Sequence, residues 1–232
     1  MSNTNIVKVS ERTKSLLANF SKIHPSILLE EGNMLRIGDE TGSIYAQAEI
    51  EETLPMEFPI FQTSGLLSVL NLGAFKECEL AFHDEDADKE LVKRIEVKGA
   101  GSTVDYWASS ESLVDLPPQE PPVEEVDYSI ELSAEGLSDF KKACAALGLD
   151  TAVLKNVDGR SYLTGTNPEL DNSNDYHVDM GTTKKGDCEI AIKVENMKVL
   201  PGNYKVEAVT DMLVRFTSID GALKYFIGAE LD

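Results

Sequence analysis

With 41 aspartates and glutamates among 232 residues, chance clusters of carboxylates are inevitable, and two runs have the residue types that could hold a divalent cation. Asp84-Glu85-Asp86-Ala87-Asp88 offers several hard oxygen ligands, but it sits between two alternating stretches and reads as a solvated loop. Asp171-Asn172-Ser173-Asn174-Asp175 begins like a calcium loop. Its sixth position is Tyr176 where the sharp turn needs Gly, and its twelfth is Thr182 where the bidentate ligand would be Glu. His24, His83 and His177 lack the spacing of a zinc-binding helix, and neither a phosphate-cradling G-x-x-x-x-G-K-[ST] loop nor a G-x-S-x-G elbow is present. The expectation is a protein with no catalytic residue, no metal site and no cofactor.

The cations are more informative. Residues 8 to 22 carry Lys8, Arg12, Lys14 and Lys22 against the single acid Glu11, in a chain of 21 basic and 41 acidic residues with a formal charge of -20. The acids gather elsewhere, at Glu49, Glu51 and Glu52, at residues 84 to 88, and at Glu120, Glu124, Glu125 and Asp127. In water a lysine about 6 Å from a phosphate gains roughly 0.7 kcal/mol, whereas a carboxylate about 20 Å away costs roughly 0.2. A screening length of about 8 Å at physiological salt weakens the distant acids further. A very acidic chain can therefore still present one face to nucleic acid. On the second basic stretch Glu135 and Asp139 balance Lys141 and Lys142, and there an ordinary solvated face fits equally well.

The elements that must position these residues come in two copies. After Ser10, Thr13, Leu16, Leu17, Phe20 and Ile23 recur at helical spacing, with Lys8, Lys14, Ser15, Asn19 and Lys22 opposite. After Ser133, Leu137, Phe140, Cys144 and Leu147 do the same, with Ser138 and Lys142 opposite. Each helix is followed by short alternating strands. In the first half they are expected near 27–31, 34–38, 43–51, 56–61, 77–83, 92–98 and 102–108, with a short helix at 64–71. In the second half they fall near 129–132, 151–157, 161–166, 176–181, 188–193, 203–209, 213–218 and 223–230, with a helical turn at 195–199. Turns such as Glu31-Gly32-Asn33, Gly99-Ala100-Gly101 and Asp158-Gly159 supply the backbone angles of antiparallel hairpins.

An acidic, proline-rich stretch at 116–127 separates the copies, so the expected domains are 1–115 and 128–232 with 116–127 as a stiff connector. Cys78, Cys144 and Cys188 are too few and too scattered for a disulfide framework or a zinc site. No apolar run is long enough to span a membrane, no apolar signal core is present, and a cytoplasmic location is expected.

Four segments together resemble one family. Leu16-Leu17-x-Asn19-Phe20-x-x-Ile23, Tyr45-Ala46-x-Ala48-x-Ile50, Gly65-x-Leu67-x-x-Leu70-x-Leu72 and, most specifically, Asn196-Met197-Lys198-x-x-Pro201-Gly202-Asn203-Tyr204-Lys205 resemble the DNA polymerase sliding clamps of T-even-type bacteriophages. The resemblance covers nearly the whole chain. It implies an α+β clamp fold of two similar tandem domains, antiparallel sheets with helices on one face, and three subunits closed into a ring around duplex DNA. It also implies a processivity factor for DNA polymerase that is opened by a separate ATP-dependent clamp loader, with late-transcription factors as further partners, acting in the cytoplasm of an infected bacterium.

Carried onto this sequence, the resemblance implies Lys8, Arg12, Lys14, Lys22, Lys142 and Lys198 as residues facing DNA. The short helix at 64–71, which carries no charge, argues against an evenly positive lining. Head-to-tail subunit contacts fall on the edges at 103–108, with Tyr106 and Trp107, and at 174–180, with Tyr176. Trp107 reads equally simply as a core anchor. A pocket for apolar partner tails falls on Leu116, Val123, Phe226 and Ile227. Two other classes remain open: a non-catalytic virion or scaffolding β-protein of the same build, and a carboxylate-based metal hydrolase.

Overall fold

A serine side chain starts each long helix. Ser10 (φ −74°, ψ 157°) accepts from Thr13 N at 3.2 Å, and Ser133 (φ −73°, ψ 157°) accepts from Gly136 N at 3.0 Å. Each satisfies one of the N–H groups that a first helical turn leaves unpaired. Helix α1 then runs Glu11–Phe20, α2 covers Thr63–Leu70, and α3 runs Ala134–Leu147 before Gly148 (φ 67°) ends it in a left-handed turn.

The computed structural model describes residues 5–87, 90–116, 119–123, 125–170, 172–182 and 186–230. It divides into two units, one of Met1–Gly38 with Gln47–Gln119, the other of Asp39–Ala46 with Glu120–Asp232. The chain passes between units inside the stretch expected as a connector, but the segment 39–46 belongs to the second unit although it lies early in the sequence.

The first unit contains β1 (Asn5–Lys8), β2 (Ile27–Leu29), β3 (Gly32–Gly38), most of β4 (Ile44–Leu54), β5 (Phe58–Ile60), β6 (Glu79–Ala87), β7 (Glu90–Gly99) and β8 (Ser102–Trp107). Four of these form an antiparallel sheet in the order β1-β6-β7-β8, and β2 pairs with β5. Leu16, Phe20, Phe58, Leu70, Phe82 and Ile95 fill its core, with Phe58 and Phe82 edge to face at 6.2 Å. Helices α1 and α2 pack against each other.

Two expectations change here. Residues 5–8 form a strand, with Lys8 opposite Glu79, so Lys8 lies on β1 and not on the helix. Its alternation, Val7 and Val9 buried with Ile6 and Lys8 exposed, is too short to stand out beside the helical period that follows. Asp84–Ala87 are the end of β6, paired through Asp84 with Lys93 and Ala87 with Glu90, and are not a loop. Asp88, like Asp171 of the calcium-like run and Glu124 of the connector acids, lies outside the described residues.

The second unit contains β9 (Tyr128–Leu132), β10 (Thr151–Val157), β11 (Arg160–Thr166), β12 (Tyr176–Thr182), β13 (Cys188–Lys193), β14 (Tyr204–Val209), β15 (Leu213–Ser218) and β16 (Leu223–Gly228). One sheet has the order β12-β11-β10-β13, and β16-β15-β14-β9 run antiparallel in a second. The start of β4 belongs here, and Gly228 N donates to Ser43 O beside it at 2.9 Å. Tyr204, Phe216 and Tyr225 pack as a ring cluster with centroids 6.2 and 6.3 Å apart, all fully buried. Burial raises both tyrosine hydroxyl pKa values, and each group finds a backbone partner at Leu200: Tyr204 Oη donates to Leu200 O at 2.8 Å, and Leu200 N donates to Tyr225 Oη at 3.3 Å.

Helix α3 lies on β11 and β12 through Leu137, Phe140 and Cys144, as its spacing predicts, whereas Leu147 at its last turn is 43% exposed because the helix ends there and leaves the sheet. Burial pushes the Cys144 thiol pKa up to about 11, consistent with a small core residue. The close approach depends on Gly165 of β11, where a Cβ would stand 2.8 Å from Cys144 Sγ and 3.0 Å from Leu149 Cδ1. Gly165→Ala is expected to destabilise the protein by about 1–3 kcal/mol through overpacking, read as a lower midpoint in denaturant unfolding with an unchanged slope.

Candidate nucleic-acid interface

The solvent side of α1 is narrower and less basic than the sequence suggested. Glu11, Arg12, Ser15 and Lys22 are exposed and Ala18 and Ser21 half-buried, a strip at helical spacing from residue 11 to residue 22. Lys22 lies just past the helix end, and Lys8 is exposed on β1.

Lys14 does not belong to that strip. It is 6% exposed, and its ammonium bridges Glu11 Oε1 and the Lys76 carbonyl, both at 2.9 Å. It therefore ties α1 to the segment that leads into β6, above the buried Cys78, whose thiol pKa burial raises. Asn19, also expected on the polar side, is 5% exposed. A wheel drawn from polarity alone assigns both outward, because it cannot show that a neighbouring segment covers them.

Glu52, grouped with the surface acids in the sequence, is likewise buried. It reaches from β4 to the start of α1, where its Oε1 accepts from Ser10 N at 2.5 Å and its Oε2 accepts from the Thr13 hydroxyl at 2.6 Å. Burial alone would raise its pKa, but the hydrogen bonds from Thr13 and Ser10 outweigh this and hold it below the ordinary carboxylate value.

In the second unit α3 exposes Glu135, Asp139, Lys142, Ala145 and Ala146. Lys142 is 3.3 Å from Asp139, and half-buried Lys141 donates to Val199 O at 3.4 Å. This face is close to neutral. Lys198 is half-buried, directly after the fully buried Met197 and the 3-10 turn Val194–Asn196. The exposed side of α2 carries only Ser64, Ser68 and Asn71, with Leu72 beyond. A surface of this kind can attract phosphates weakly and has no array of donors that could read base edges.

Both strands expected at subunit contacts are sheet edges. β8 closes one side of β1-β6-β7-β8 and β12 one side of β12-β11-β10-β13, so each presents a row of ladder groups to solvent. Trp107 is 53% exposed with the Arg94 guanidinium 5.7 Å from its ring centre, and is not a core anchor. Tyr106, on the opposite face of the strand, donates to Gln62 O at 3.3 Å beside α2. Tyr176 is half-buried against Phe140, 6.2 Å between centroids.

The residues expected to line a partner pocket separate. Phe226 is buried with Tyr45 and Leu213, its ring 5.5 Å from that of Tyr45, and Val123 and Val209 pack on the cluster. Ile227, its neighbour on β16, projects to the other face with Tyr225 and is fully buried, so it cannot line the same depression. Leu116, in the first unit, is 78% exposed. The sequence reading missed Tyr45 and Leu213, which no local pattern links to Phe226. Lys224 Nζ donates to Glu120 Oε1 at 2.9 Å, tying the stretch that carries Val123 to β16.

No family model matches the chain. Curated relatives do: it is 28% identical over 208 residues to the sliding clamp of Escherichia phage RB69, 27% over 204 to that of Enterobacteria phage T4, each covering 86% of both chains, and 26% over 231 to that of Vibrio phage KVP40, covering 97% of this chain and 99% of that one. The chain is a homologue of the T4-type phage sliding clamps. The clamp homologue also shares its fold with PCNA structures at 14–15% identity. The PCNA2–PCNA3 complex of Sulfolobus tokodaii superposes at a TM-score of 0.70 over 97% of this chain and 99% of that one. The A. fulgidus PCNA bound to the C-terminal region of FEN-1 superposes at 0.70 over 98% of both. The fold of the clamp homologue is therefore the sliding-clamp fold, built mostly of antiparallel sheet with three α-helices among the described residues.

Two outcomes are expected of the buried charges. Lys14→Met should lower stability by about 1–3 kcal/mol, since the Lys76 carbonyl and Glu11 lose a charged donor, and calorimetric melting checks this. Because the folded pKa of Glu52 is depressed, its contribution is complete above the unfolded carboxylate value near 4.5 and is lost as pH falls through the lower folded value. The stability gap between the parent chain and Glu52→Gln should accordingly be widest above pH 5 and close in acid, measured by urea unfolding across pH.

Proposed function

We infer that the chain is a DNA polymerase processivity factor, a sliding clamp that encircles duplex DNA without sequence preference and tethers the polymerase to its template. The observation that carries the reading is that near-full-length similarity to named sliding clamps coincides with two units whose long helices begin with the same serine cap at the same backbone angles. Three copies close a ring by pairing the β8 edge of one subunit with the β12 edge of the next, a heterologous contact repeated until it closes. Tyr106, Trp107 and Tyr176 lie at that junction. The chain itself performs no chemistry. Opening the ring falls to an ATP-driven loader, late-transcription factors are further clients, and the setting is the cytoplasm of an infected bacterium.

In the first unit the duplex meets the exposed strip of α1, with Arg12 and Lys22 as its main cations and Lys8 as a further one; in the second unit Lys142 and Lys198 contribute. A near-neutral lining suits this task. The ring is retained by topology, and soft, water-mediated attraction to phosphates leaves it free to slide. Apolar tails of client proteins dock over the Tyr45–Leu213–Phe226 cluster of the second unit, beside Val123.

Sedimentation should give a species near three times 25.4 kDa, and a strict monomer at high concentration would refute the ring. Reversing Arg12, Lys22 and Lys142 together to Glu should preserve that mass while lowering affinity for linear duplex by about tenfold at low salt and flattening its salt dependence. Unchanged affinity would remove α1 and α3 from the DNA side.

A further inference from the structure

The two long helices share a second device that neither helix encodes in its own sequence. At α1 the Ser10 N–H is taken by Glu52 of β4, 42 residues away, and the same carboxylate accepts from Thr13. At α3 the Ala134 N–H is taken by Asn203 Oδ1 at 2.8 Å, from a residue 69 positions away that immediately precedes β14. Each helix thus has its own serine cap and also a side chain from far away in the sequence on another N–H of its start, that of the capping serine itself in α1 and that of the first helical residue in α3. The residues around Asn203 hold it in place. Tyr204 is buried and anchored on the Leu200 carbonyl, Gly202 lies against the Tyr204 ring, and Asn203 O accepts from Ile219 N at 3.3 Å.

We propose that Glu52 and Asn203 are positioning residues for DNA retention: each fixes the start, and so the azimuth, of the helix whose exposed face meets the duplex. This rests on the clamp reading above. A serine cap alone satisfies N–H groups but moves with its helix, since cap and helix are contiguous in the chain. A side chain from β4, or from the residue that enters β14, sets the helix against an external reference. A helix rotated by one residue, about 100°, would replace Arg12 with Glu11 or a buried position on the phosphate side. The most family-specific segment, residues 196–205, is accounted for in part in the same way: its Asn203 is a strut for α3, while its two charges are half-buried Lys198 and exposed Lys205.

The test compares the parent chain with Asn203→Ala, Asn203→Asp, Glu52→Ala and Glu52→Gln. Three readouts are taken at a temperature well below every melting point: mass in solution, amide hydrogen exchange, and anisotropy of a fluorescein-labelled linear duplex at low salt. Asn203→Ala should speed exchange about tenfold in the first turn of α3 alone, and Glu52→Ala in the first turn of α1 alone, as loss of one N-terminal acceptor dictates. Both should weaken duplex binding about threefold or more with the assembly mass unchanged. Asn203→Asp, which keeps an acceptor at the helix start, should restore exchange protection and binding, while Glu52→Gln, which loses the second acceptor, should not restore α1 fully. Faster exchange with unaltered duplex binding would overturn the positioning role and leave the two residues as ordinary stabilisers. Unaltered exchange would overturn the strut itself. A parent chain that does not bind duplex at all would instead refute the clamp reading, and the DNA role of both residues with it.

Discussion

The first turn of an α-helix leaves N–H groups that nothing within the helix can accept, and the way this chain disposes of them organises both of its units. One group goes to a serine at the helix start, and an earlier one goes to Glu52 of β4 or to Asn203 just before β14, both far away in sequence. The local bond decides where the helix begins. The distant bond decides how it sits on the sheet, and that in turn decides which side chains face outward.

From that constraint the distribution of charge follows. On α1, Lys14 faces the Lys76 carbonyl and becomes an internal tie, while Arg12 and Lys22 remain on the outer strip. Glu52, one of the acids that make the chain so negative, is buried where it opposes the partial positive charge of a helix start. Net charge therefore says little about any one surface. The surface proposed to meet DNA is close to neutral, which fits a protein that must remain around a polyanion and move along it, and it differs from the dense basic faces of proteins that grip nucleic acid.

Close packing sets the second limit. Gly165 admits α3 onto β11, and the ring cluster of Tyr204, Phe216 and Tyr225 fills the sheet behind β14. β8 and β12 each end a sheet, as β1 and β13 do at the opposite edges, and they are the pair of edges proposed for contact between copies. Trp107 stands half in solvent beside Arg94 for the same reason: at an edge strand only one face has a core to enter.

Much of this was legible in the residues taken in order. Helical and alternating periods depend on neighbours three, four or two positions apart, so α1, α2, α3 and nearly every strand could be placed, and two serine caps with two apolar faces announced the duplication. The resemblance to phage sliding clamps followed from segments such as 196–205. The strand Asn5–Lys8 escaped because four alternating residues give too little periodic signal. The inward turn of Lys14, the burial of Glu52 and the joining of Tyr45 to Leu213 were decided only by tertiary structure. Each depends on a partner tens to nearly two hundred positions away, and a contact of that range leaves no period in the sequence that carries it.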